Sequence, residues 1–120
     1  MSSIRPSELD DRRNADDELF ILDIRPSTDF QRSSIEGSYN IPVYNALRKG
    51  DESPLRDELS AIPRDIEIIV VCKMGIVAKR ATEVLTTEGY DASTLKGGMS
   101  GWSGYNRGSI GYKLRSFFWN

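Results

Sequence analysis

Ile66-Glu67-Ile68-Ile69-Val70-Val71-Cys72-Lys73-Met74-Gly75-Ile76 is the stretch that decides the fold. Apolar, mostly β-branched residues at consecutive positions bury on both faces of a sheet, as in the centre of a parallel one. The run stops at Cys72. Lys73-Met74-Gly75-Ile76 then reads as a loop in which Gly75 permits a tight turn. Val77, Ala81, Val84 and Leu85 follow at helical spacing, and Gly89 is a natural helix stop. Cys72 therefore stands at a strand-to-helix junction.

Working outward, the same alternation continues. Upstream, Phe20-Ile21-Leu22 reads as a short buried strand running into Asp23-Ile24-Arg25-Pro26, with Ser27–Arg32 a polar helical turn at the surface. Tyr39-Asn40-Ile41-Pro42 is another extended piece, closed by proline. Ser7 is expected to cap a first helix from Glu8 to about Arg13. Residues 43–64, interrupted by Gly50, Pro54 and Pro63, hold one or two short helices. Thr94-Leu95 is a last short strand before Gly97-Gly98. Strands alternating with helices predict an α/β domain with a mostly parallel sheet.

Composition narrows the chemistry. The chain has 120 residues, one cysteine and no histidine. That excludes a Ser-His-Asp triad, a Cys-His dyad, an internal disulfide and a multi-cysteine metal site. An enzyme built from this inventory works through Cys72, a carboxylate, a hydroxyl, a lysine or a borrowed cofactor. No metal and no cofactor are expected. The longest apolar run, Ile68–Cys72, is far too short to cross a bilayer, and the first residues lack a signal-peptide core, so a cytoplasmic location is expected. Residues 1–91 carry all 18 acids and 12 of the 16 bases, whereas residues 92–120 carry Lys96, Arg107, Lys113 and Arg115 and no acid. A net charge of -2 thus combines an acidic body with a basic tail, and the acidic body argues against nucleic acid as a partner.

The position of Cys72 gives it two readings. As a residue type, a lone cysteine after a valine run is a small buried hydrophobe. Yet ligands of open α/β sheets bind at the carboxyl ends of strands, where a helix start offers unpaired N–H groups and partial positive charge. A thiol at such a place ionises more readily, and the same N–H groups can cradle an anion. Lys73 and Lys79 add positive charge nearby.

Two segments together resemble the rhodanese-like domain family. The first is Ile21-Leu22-Asp23-Ile24-Arg25-Pro26 with Asp29-Phe30 and Ile35-Glu36-Gly37-Ser38-Tyr39-Asn40-Ile41-Pro42. The second is Val70-Val71-Cys72-Lys73-Met74-Gly75, continuing to Leu95-Lys96-Gly97-Gly98-Met99-Ser100-Gly101-Trp102. The resemblance covers about residues 4–103 in order and spacing. It implies a five-stranded, mostly parallel sheet flanked by helices on both faces. It further implies that Cys72 accepts a sulfane sulfur, becomes a persulfide and passes the sulfur on, to a small thiophilic acceptor, a thiol or a protein in a sulfur relay. The donor would be thiosulfate or another persulfide. Backbone N–H groups of Lys73, Met74, Gly75, Ile76 and Val77 would hold the bound sulfur. The chain departs from the family pattern at Ser34, where a histidine is common, and at Val77 and Ala78, where polar residues are common, so a less polar loop is expected.

Two other classes compete. A non-catalytic docking or regulatory module would use the same fold, since fold alone does not decide function. A cysteine-dependent phosphatase or arsenate reductase would need an arginine six residues after Cys72, where Ala78 stands instead. Supporting roles are assigned to Asp23 and Arg25: Asp23 either orients the cysteine loop or caps the turn after it, and Arg25 is expected to pair with Asp29. The domain is expected to span 1–104, as a monomer. Residues 105–120, with Tyr112, Leu114, Phe117, Phe118 and Trp119 among the bases, form a basic-aromatic extension that packs on the domain or projects towards a partner.

Overall fold

The computed structural model describes the backbone of residues 2–119 and the side chains of residues 2–108. Five parallel strands form one sheet in the order β1-β5-β4-β2-β3. They are β1 (Ser3–Ile4), β2 (Leu19–Asp23), β3 (Tyr39–Asn40), β4 (Glu67–Val71) and β5 (Ala92–Leu95). The helices are α1 (Pro6–Asn14), α2 (Ser27–Arg32), α3 (Tyr44–Arg48), α4 (Ser53–Asp57), α5 (Val77–Thr87) and α6 (Gly98–Trp119), with a single 3-10 turn at Leu59–Ala61.

The apolar run of β4 is explained by its central place. It lies between β2 and β5, and its side chains alternate between two cores. Ile68, Val70 and Cys72 enter the core beneath α5, with Leu22, Leu47, Leu55, Ala81 and Leu85. Ile69 and Val71 enter the opposite core beneath α1 and α6, with Ile4, Leu9, Leu95 and Trp102. Helices on both faces are the general solution for a parallel sheet, because neither face can be left to water. Among the described residues, no helix is long and apolar enough to cross a membrane.

Several local expectations are corrected. Ser7 is not the cap of α1: the helix starts at Pro6, and Arg5 is the N-cap. The Arg5 backbone amide and Nε both donate to Glu8 Oε1, at 3.4 and 2.8 Å, and proline suits the first helical position because its missing N–H would be unpaired there anyway. Strand β1, which no periodicity announces, pairs with β5 in the register Ile4↔Leu95. β5 itself begins at Ala92, two residues before Thr94. Beyond Gly97, Gly98 opens α6, whose backbone helix runs to Trp119. The expected packing of the aromatics from Tyr112 onward lies outside the described side chains.

Candidate active site

Sheet register builds the site. Asp23 of β2 lies beside Val71 of β4, and the Ile24 amide donates to the Val71 carbonyl at 2.9 Å. The chain leaving β2 and the chain leaving β4 therefore emerge side by side, bringing Arg25 and Lys73 to the same edge.

Cys72 is 1% exposed. Its Sγ accepts the Gly75 amide at 3.1 Å and the Ala78 amide at 3.4 Å. Helix α5 has Ile76 at its N-cap, with no side chain capping the first turn. The sulfur occupies the place that a capping oxygen usually takes, where helix N–H groups are unpaired and the dipole favours negative charge. Of the loop residues expected to donate, Gly75 does so. Ala78, noted in the sequence for its apolar side chain and for standing where a phosphatase would need an arginine, supplies the second amide. A backbone amide leaves no trace in residue type, so no sequence signal marked it.

The loop is held from the far side by α6. The Met99 amide donates to the Cys72 carbonyl at 2.9 Å, and the Ser100 amide to the Lys73 carbonyl at 3.1 Å. This approach requires glycine at Gly98, whose Cβ would collide with the Cys72 carbonyl oxygen. Gly75 adopts φ 88°, and a Cβ there would sit 3.0 Å from the Gly97 nitrogen.

Asp23 and Arg25 form a buried pair, with the Arg25 Nη2 donating to the Asp23 carboxylate at 2.9 Å and to the Ser33 carbonyl at 2.6 Å. The expected Arg25–Asp29 pair is therefore corrected: Asp29 instead lies 3.9 Å from Arg32. A bidentate partner two residues away, inside the protein, outcompetes an exposed carboxylate. Asp23 also accepts the Arg25 amide at 3.0 Å, closing the turn after β2 as one of its two readings expected. Sequence reasoning missed Asn40, whose side-chain amide donates to the carbonyls of Asp23 and Arg25, both at 2.9 Å, and so fixes this turn against β3.

The two larger recesses that border the loop differ in their lining. One, of about 370 Å³, is lined by Arg25, Arg32, Lys73 and Arg107 together with Asp29. The other, of about 540 Å³, is lined by Met74, Gly75 and Ile76 with Lys79 and Lys96. Val77 is buried against the core.

The family model of the rhodanese-like domain matches residues 5–105. The chain belongs to the rhodanese-like domain family. Its curated relatives include the adenylyltransferase and sulfurtransferase UBA4 of Meyerozyma guilliermondii, 37% identical over 91 residues. That match covers 75% of this chain but 21% of the relative, so the chain spans about a fifth of that protein. The putative sulfurtransferase YtwF of Bacillus subtilis is 23% identical over 104 residues, covering 87% of this chain and 92% of the relative. Among solved structures, a rhodanese-related protein from Thermoplasma volcanium superposes with a TM-score of 0.73 at 27% identity, covering 88% and 93% of the two chains. A five-stranded parallel sheet flanked by helices is thus the rhodanese-like fold.

Proposed function

We propose that this rhodanese-like chain is a sulfurtransferase that carries a sulfane sulfur as a persulfide on Cys72. The observation that carries the reading is the pair of amides, from Gly75 and Ala78, aimed at Cys72 Sγ where β4 meets α5. Sulfurtransferases among its relatives support the same class. With thiosulfate as donor, the Cys72 thiolate bonds to the outer sulfur, the S–S bond breaks, and sulfite leaves with the electron pair. No general base is needed, so a chain without histidine suffices. A reducing compartment such as the cytoplasm suits a chemistry that begins with a free thiol.

The phosphatase reading loses further ground. Arg80, the first arginine after the loop, is engaged with the Leu47 carbonyl of α3 at 2.9 Å and offers no fork to an oxyanion at Cys72. The burial of Cys72 favours a second reading, a docking or regulatory module that never reacts.

Rates of sulfur transfer from thiosulfate to cyanide separate the two. The enzyme reading expects turnover by the wild type and none by Cys72→Ser, while equal rates for both would sink it.

A further inference from the structure

Positive charge gathers beside the Cys72 loop from positions far apart in the sequence. Arg25, Arg32, Lys73 and Arg107 share one groove with a single carboxylate, Asp29, on a chain whose net charge is -2. Arg25 is compensated by Asp23. Arg32 reaches Asp29 only at 3.9 Å, with its side chain 80% exposed. Lys73 and Arg107 take part in no ion pair among the described residues. Four cations thus face two carboxylates, and an incoming anion relieves the repulsion that remains between Lys73 and Arg107 and their cationic neighbours.

Size and polarity identify the occupant. The groove, at about 370 Å³, is in the range of pockets that take drug-sized ligands, roughly 300–1,000 Å³. That is far more than a five-atom donor anion fills. In the other recess beside the loop, Met74 and Ile76 are 59% and 72% exposed, two of the three exposed large hydrophobic residues among those described. Two apolar side chains beside a charged groove suit a partner that offers an apolar contact next to its charges.

We propose that this face docks an acidic sulfur-accepting protein. Carboxylates of the acceptor occupy the groove between Lys73 and Arg107, an apolar side chain covers Met74 and Ile76, and the accepting thiol meets Cys72. The inference rests on the persulfide reading. The acceptor thiolate attacks the outer sulfur of the Cys72 persulfide and the S–S bond breaks. Cys72 departs as the thiolate, and the acceptor retains the sulfur as its own persulfide.

The test uses labelled peptides in which one cysteine is flanked by glutamates, by glutamines or by lysines. Fluorescence anisotropy with serine in place of that cysteine measures docking without any sulfur chemistry. The glutamate peptide is expected to bind about tenfold more tightly than the glutamine one at low salt, and the advantage should shrink as salt is added. The double reversal Arg32→Glu with Arg107→Glu should transfer the preference to the lysine peptide. With persulfidated protein, sulfur transfer to the cysteine peptides should follow the same order, with the rate toward dithiothreitol as the reference in each variant. Equal affinities for the three peptides, or a glutamate preference that survives the reversal, overturn the proposal. So does tighter binding of an oligouridylate of the same charge. If Cys72 never takes up sulfur, the persulfide reading fails, while peptide binding still decides the docking face.

Discussion

The backbone amide of Met99 donates to the carbonyl of Cys72 at 2.9 Å, joining the first turn of α6 to the residue that carries the chain's thiol. Because Cys72 leads directly into the loop that turns amides towards its own sulfur, α6 acts as a backstop for that loop. The backstop works only at close range, and one glycine permits the range.

Gly98→Ala should therefore harm both stability and activity. Gly98 has φ 54°, and a Cβ there would collide with the Cys72 carbonyl oxygen and lie 2.8 Å from the Lys73 carbonyl group, both of them backbone. Neither neighbour can rotate away, so the helix or the loop must move. Gly37→Ala is the control, since it shares a positive φ of 84° but would meet nothing within 4 Å. It should cost about 1 kcal/mol from backbone strain alone. Thermal melts and sulfur-transfer rates of the two variants check this, with similar behaviour contradicting it.

The Asp23–Arg25 pair predicts strong non-additivity. Asp23 is 1% and Arg25 7% exposed, so removing one partner strands the other's charge inside the protein. Asp23→Ala should cost about 3–5 kcal/mol in urea unfolding, and adding Arg25→Met should recover part of that loss. Simple addition of the two single effects would show that the pair is not coupled.

A buried hydroxyl relay behaves likewise. Thr82 Oγ1 lies 3.0 Å from the Ala78 carbonyl oxygen and 2.7 Å from Thr94 Oγ1. A threonine has one hydroxyl proton. Thr82 donates it to the Ala78 carbonyl, so Thr94 is the donor between the two hydroxyls. Thr82→Val would leave the Thr94 hydroxyl buried and unsatisfied, at about 1–3 kcal/mol. The double change to valine keeps the shape and removes both hydroxyls, so its unfolding midpoint should return towards wild type.

Alkaline pH should loosen the contact between α1 and α6. Tyr105 donates to Asp10 Oδ2 at 2.7 Å, and this hydrogen bond, with smaller help from burial and the Asp10 charge, pushes the phenol above its ordinary value of 10.0. A folded-state value raised above the unfolded one gives stability that is complete below the unfolded value. It is lost as pH climbs through the folded one. Tyr105→Phe should melt lower than wild type at neutral pH, and the gap should close as pH rises beyond that range. A gap that persists unchanged would contradict the contact's role.

Legibility in the sequence followed physical range. The β4 run, the α5 periodicity and the place of Cys72 between them were readable because each rests on neighbouring residues obeying one period. Strand β1 was not, since two residues have no period and Ser3–Ile4 is a strand only because β5 lies beside it. Arg25 was assigned to the wrong carboxylate because sequence distance does not reveal that Asp23 is buried. Gly98 stands in the sequence only as part of a motif, yet its absent side chain serves the approach of α6 to Cys72, a contact between positions far apart. The amide of Ala78 is equally invisible, because a backbone amide leaves no trace in residue type, and so is the cationic groove, because it arises when separate segments meet at one edge of the sheet.

The central claim, that Cys72 holds a transferable sulfur, is tested most directly by intact mass spectrometry after incubation with thiosulfate. The account predicts that the wild type gains one sulfur atom, that peptide mapping places it on Cys72, that Cys72→Ser gains none, and that added dithiothreitol removes it. An unchanged mass for the wild type, or the same gain in Cys72→Ser, would contradict it.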